Sequence, residues 1–101
     1  MALIKIKSLA ELPPGSLTQV EINGSAYAVC NYEGTIRCYD GICPHEGGPL
    51  GDGNLDGAQI VCPWHAWAFD CQTGINDFDP SIQLKSHSVT VRDAEIFVDL
   101  P

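Results

Sequence analysis

The chain has 101 residues, 45% of them apolar, enough for one unit with its own core, and a single domain over 1–101 is expected. Thirteen Asp and Glu against five Lys and Arg give a formal charge of −8, which argues against nucleic acid or an anionic membrane as partner, since both would repel it. The apolar run after Met1 is too short for a secretion signal and no stretch approaches the roughly 18 apolar residues of a membrane span, so the expected compartment is the cytoplasm.

In chain order, short strand patterns alternate with turn signals at intervals of about 8–12 residues, the mark of an all-β sandwich or barrel. Residues 3–7 read as a first strand. Ser8-Leu-Ala-Glu11 spells a capping box for one short helical turn, stopped by Pro13-Pro14-Gly15. Strands over 16–22 and 25–31 flank Asn23-Gly24, the strongest hairpin signal present. Glu33-Gly34 turns into a strand over 35–40. From 41 to 74 the character changes: seven of the ten glycines fall here, with a short strand over 59–61, and the reading is that Gly lets the backbone approach a bound group closely. A loop at Phe78-Asp79-Pro80 follows. Strands over 86–91 and 95–100 close the chain as a hairpin through Arg92-Asp93-Ala94, with Val89, Val91, Ile96, Val98 and Leu100 expected to point inward.

The chemistry concentrates in Cys43-Pro-His45 and Cys62-Pro-Trp-His65, spelled C-x-H-x16-C-x2-H. Each half pairs a thiolate former with an imidazole. A mononuclear zinc site takes mixed Cys and His, but usually with two or more residues between paired ligands. A single residue between Cys43 and His45 aims neighbouring side chains at different points, so two metals fit better than one. A 2Fe-2S cluster answers that demand, with Cys43 and Cys62 on one iron and His45 and His65 on the other. A zinc-bound or ligand-free structural module is the rival from another class.

With these residues the chain resembles the Rieske family, which usually also carries counterparts of Phe69-Asp70 and Thr73-Gly74. Length and strand pattern resemble the small soluble ferredoxins that serve aromatic-ring-hydroxylating dioxygenases. The resemblance implies an antiparallel Rieske-like sandwich or barrel whose cluster-binding subdomain, approximately 41–74, is formed by two ligand loops. It implies a one-electron carrier, not an enzyme, with a flavoprotein ferredoxin reductase and a terminal Rieske oxygenase as partners. The alternative within the fold is a Rieske-type small subunit of an assimilatory nitrite reductase. An oxygenase would need a further iron on two His and a carboxylate, and His87 is the only histidine outside the motif; it reads as an ordinary strand residue.

Relatives in respiratory complexes carry a disulfide where this chain has Gly48 and Trp64, and hydroxyl donors to sulfur where it has Trp67 and Phe69. Without those donors the cluster is expected toward the low end of the Rieske range of roughly −150 to +300 mV. Trp64 and Trp67 bracket His65 as packing or as a contact platform, and Pro80 is the candidate lid. Glu46, Asp52, Asp56, Asp70, Asp77 and Asp79 read mostly as solvated charge, with steering of a basic partner as the sharper alternative. Cys30, Cys38 and Cys71 are expected as buried, unbridged thiols.

Overall fold

A computed structural model describes residues 2–42, 47–63 and 67–100, with the side chain of Ala2 left out. The described residues form ten strands: β1 (Ala2–Ser8), β2 (Ser16–Ile22), β3 (Ser25–Tyr32), β4 (Thr35–Asp40), β5 (Asn54–Asp56), β6 (Gln59–Val61), β7 (Ala68–Asp70), β8 (Ser86–His87), β9 (Val89–Arg92) and β10 (Glu95–Leu100). They make three antiparallel sheets ordered β1-β10-β9, β2-β3-β4-β8 and β5-β6-β7, which agrees with the expected all-β antiparallel architecture.

The turns explain the middle sheet. Asn23 and Gly24 both take positive φ, 52° and 83°, as do Glu33 and Gly34 at 53° and 90°, the geometry that matches a tight hairpin to the right-handed twist of its strands. These turns set β2 against β3 with Ile22 opposite Ser25, and β3 against β4 with Tyr32 opposite Thr35. Strand β3 is then apolar on both faces. Ala28 and Cys30 enter one core with Tyr39, Leu50, Ile60, Cys62, Phe69 and Cys71. Tyr27 and Val29 enter a second with Leu12, Ile36, Cys38, Ile96 and Val98. The middle sheet therefore lies between two apolar clusters, one shared with β10 and the other with β6 and β7. Cys30 and Cys38 fall in different clusters and are unbridged, as is Cys71.

At Ser8 the backbone N–H and the hydroxyl both donate to Glu11 Oε1, at 3.0 and 3.1 Å, so the capping-box spelling does open a 3-10 turn, Leu9–Glu11. Two expectations are corrected. The strand read over 86–91 is broken at Ser88: β8 pairs with β4 in the middle sheet and β9 with β10 in the outer one, a change of partner that alternation of residue types cannot reveal. Val91 is 46% exposed rather than inward, because β9 is an edge strand, whereas Ile96 opposite it lies on the central strand of its sheet and is fully covered.

Candidate functional site

Of the four predicted ligands the structure describes Cys62; Cys43, His45 and His65 lie outside the described residues, as do Glu46 and Trp64. What is described is the foot of each ligand loop. The first leaves β4 at Gly41, whose N–H donates to Ala26 O at 2.9 Å, and returns where Leu50 N–H donates to Gly41 O at 2.9 Å beside an Ile42–Pro49 bridge. A 3-10 turn, Leu50–Asp52, follows, and Gly51 N–H donates to Gln19 Oε1 on β2 at 3.1 Å. The second loop leaves β6 at Cys62 and is closed by Cys62 N–H donating to Trp67 O at 2.8 Å. Both feet are thus pinned by main-chain bonds that need no metal.

The two feet also meet. Leu50 and Cys62, 0% and 1% exposed, share one apolar core with Phe69. A Cβ at Gly53 would lie 1.8 Å from Val61 O and 3.1 Å from Pro63 Cδ, a spacing that backbone cannot yield to, so any side chain at 53 would force the loops apart. Gly53 therefore serves in packing one ligand loop against the other. A buried soft sulfur donor at the joint of two pinned loops fits a 2Fe-2S cluster by its donor chemistry.

The remaining thiols are kept inert. Burial, with the Cys71 thiol as a lesser contributor, pushes Cys30 up to about 12. Burial and then Asp40 push Cys38 up to about 12, and burial raises Cys71. Tyr39, also raised to about 12 chiefly by burial, donates its hydroxyl to Cys71 O at 2.8 Å. A protonated thiol is neither a good nucleophile nor a ready ligand.

Around the joint, Gly48 is buried, Phe69 is fully buried, and Trp67 is half-buried with its ring edge-on to Phe78 at 4.9 Å. Pro80 is exposed in a turn, and the ring from its loop that packs on Trp67 belongs to Phe78. Sequence reasoning missed the residue that shapes this loop. Asn76, 2% exposed, donates from Nδ2 to Ala68 O at 3.2 Å and accepts from the Phe78 and Asp79 N–H groups at 3.2 and 3.0 Å. The available signal was Asn two residues before Phe78, since Asn side chains cap turns of their own backbone. Of the acidic residues, Asp52, Asp56 and Asp77 are exposed, whereas Asp70 accepts from Gln72 N–H at 2.7 Å and Asp79 accepts from Ser81 N–H and hydroxyl. That hydroxyl and N–H hold the Asp79 carboxyl below its usual range. His87 Nε2 lies 2.8 Å from Asp40 Oδ1, with its ring edge-on to Tyr27.

Residues 2–88 match the model of the Rieske [2Fe-2S] domain. The chain is 33% identical over 94 residues to the ferredoxin component of the naphthalene 1,2-dioxygenase system of Pseudomonas aeruginosa, covering 92% of this chain and 90% of that relative. Among solved structures, the Sphingomonas yanoikuyae B1 ferredoxin superposes with a TM-score of 0.88 at 31% identity, over 99% of this chain and 100% of the other. A chain of the complex of reduced oxygenase and oxidized ferredoxin in carbazole 1,9a-dioxygenase gives 0.86 at 27% identity, over 98% and 97%.

Proposed function

The chain belongs to the Rieske [2Fe-2S] domain family, and on that premise we propose that it is a low-potential one-electron carrier between an NAD(P)H-dependent flavoprotein reductase and a terminal ring-hydroxylating oxygenase. The observation that carries this reading is that a relative matched over 90% of its own length is itself the ferredoxin component of a dioxygenase system. The same observation favours it over the nitrite reductase subunit. In this reading the chain catalyses no bond chemistry, acts in the cytoplasm, and works as one domain over 1–101 with 41–74 as its cluster-binding part.

We assign Cys43 and Cys62 to one iron and His45 and His65 to the other. When bound, the cluster supplies a centre that takes up and releases a single electron. The chain's own contribution is to position and insulate. Cys62 presents sulfur from an apolar setting 1% exposed to water, and main-chain bonds fasten the feet of both loops. Gly48, Trp64, Trp67, Phe69 and Pro80 form the surroundings in this assignment. Trp67 and Phe69 carry no hydroxyl that could stabilise extra electron density on sulfur, which favours the low end of roughly −150 to +300 mV.

The test is reconstitution. The purified protein, a flavin reductase with NADH, and a terminal oxygenase with its aromatic substrate are combined, and bleaching of the visible iron chromophore and product formation are followed. Reduction by the flavoprotein and product dependent on this chain are expected. A colourless, iron-free protein after anaerobic purification would leave the structural-module reading, and a coloured protein that no flavin reductase reduces would contradict the carrier assignment.

A further inference from the structure

Phe78 is 64% exposed, the most exposed of the large apolar side chains named among the described residues, the others being Leu3, Ile42 and Val91. Single exposed apolar side chains are ordinary on protein surfaces. Phe78 differs in the backbone that carries it. Its backbone N–H is held by buried Asn76, which also holds the next N–H and ties both to Ala68 O on β7. The loop is fixed further by Asp77 N–H donating to Ala68 O at 3.1 Å and Ile82 N–H donating to Asp79 O at 3.0 Å. The ring rests edge-on against Trp67, centroids 4.9 Å apart, at the point where the second ligand loop is closed.

A phenyl ring on a fixed backbone yet left mostly in water buries little apolar surface within the chain. Its loop is already held and one edge of the ring rests on Trp67, so little backbone need be ordered when the exposed face enters an interface, which suits a binding anchor. Exposed Asp77 precedes it and Asp79 follows it, on a chain of net charge −8, so the complementary surface is an apolar socket rimmed by Lys and Arg.

We propose that Phe78, clamped by Asn76 against Trp67, is the anchor by which this chain docks on its terminal oxygenase, entering an apolar socket with a basic rim. The proposal rests on the carrier reading. It goes beyond that reading by assigning the contact to the third loop, outside both ligand loops. The oxygenase is chosen over the reductase because an oxygenase and a ferredoxin form a complex in the carbazole system to which this fold is similar.

The test uses the intact, cluster-loaded protein with the terminal oxygenases of the naphthalene and carbazole systems as probes. Binding is measured by titration and electron delivery by stopped flow, for wild type, Phe78→Ala, Phe78→Leu and Val91→Ala. Phe78→Ala is expected to weaken oxygenase binding at least tenfold, with visible spectrum, potential and rate of reduction by the flavoprotein unchanged. Phe78→Leu, which keeps apolar bulk, is expected to retain binding within about threefold, and Val91→Ala to match wild type. Wild-type affinity of Phe78→Ala for an oxygenase that wild type reduces would overturn the proposal alone. So would a defect confined to the reductase step, which would place the reductase on Phe78. Wild type that neither binds nor reduces either oxygenase would overturn this proposal, whereas the carrier reading itself stands or falls on reduction of the chain by the flavoprotein.

Discussion

At the scale of single residues, the fold pushes several groups away from their ordinary chemistry. Cys30 and Cys38 are raised to about 12, mainly by burial, against roughly 8.5 for an unburied thiol. Between those values an unfolded chain gives up protons that the folded chain keeps. The stabilisation is therefore complete below the unfolded value and is lost as pH rises towards 12. Stability is predicted to fall above about pH 9 by roughly 1.4 kcal/mol per thiol for each pH unit. Thermal melts from pH 8 to 11 check it: Cys38→Ala should start lower through its packing defect yet decline less steeply, and parallel declines would refute the assignment. Ala94 is a different case. It sits at φ 61° after Asp93 at 53°, and a Cβ in the left-handed region costs about 1–2 kcal/mol. Ala94→Gly is predicted to gain about 0.5–1 kcal/mol net of the extra chain entropy, seen as a higher midpoint in denaturant; a lower midpoint would contradict it.

Elements meet at two joints that carry the site. Gly53 lies against Val61, and because the contact is with a backbone carbonyl no rotamer can relieve an added methyl. Gly53→Ala should cost about 3 kcal/mol and lower iron content, whereas wild-type melting and iron loading would show that the loops are not packed as described. Asn76→Ala removes the acceptor of the part-buried Phe78 and Asp79 N–H groups, a loss of about 0.5–1.5 kcal/mol per hydrogen bond. Hydrogen exchange should accelerate at 78 and 79 while the chromophore persists; unchanged exchange would remove the clamp. The hairpin strands from β2 to β4 were legible in sequence because Asn23-Gly24 and Glu33-Gly34 demand one turn geometry. Strands β5 and β7 were not, since Asn54-Leu-Asp56 and Ala68-Phe-Asp70 lack the adjacent β-branched pair, Ile60-Val61, that marked the equally short β6. The break at Ser88 was hidden because β8 and β9 continue one pattern while pairing with different sheets. The ligand assignment rests on residue type and spacing, and of its four residues the structure describes Cys62; the Asn76 clamp was not legible in sequence, because it depends on Ala68 being adjacent in space.

For the whole molecule, the middle sheet divides two apolar cores, and the loop feet grow from the one containing Tyr39, Leu50, Cys62 and Phe69. That arrangement ties the feet of both loops to a small β framework through main-chain bonds, while Asp52, Asp56 and Asp77 face solvent. The central claim is that two sulfurs and two imidazole nitrogens share one pair of irons. Pulsed electron-nuclear resonance on the dithionite-reduced protein reads this directly. Hyperfine coupling to two imidazole nitrogens is predicted, with one of them lost in His65→Cys. A reduced iron centre with no nitrogen coupling, or a coupling unaltered by that substitution, would contradict the account.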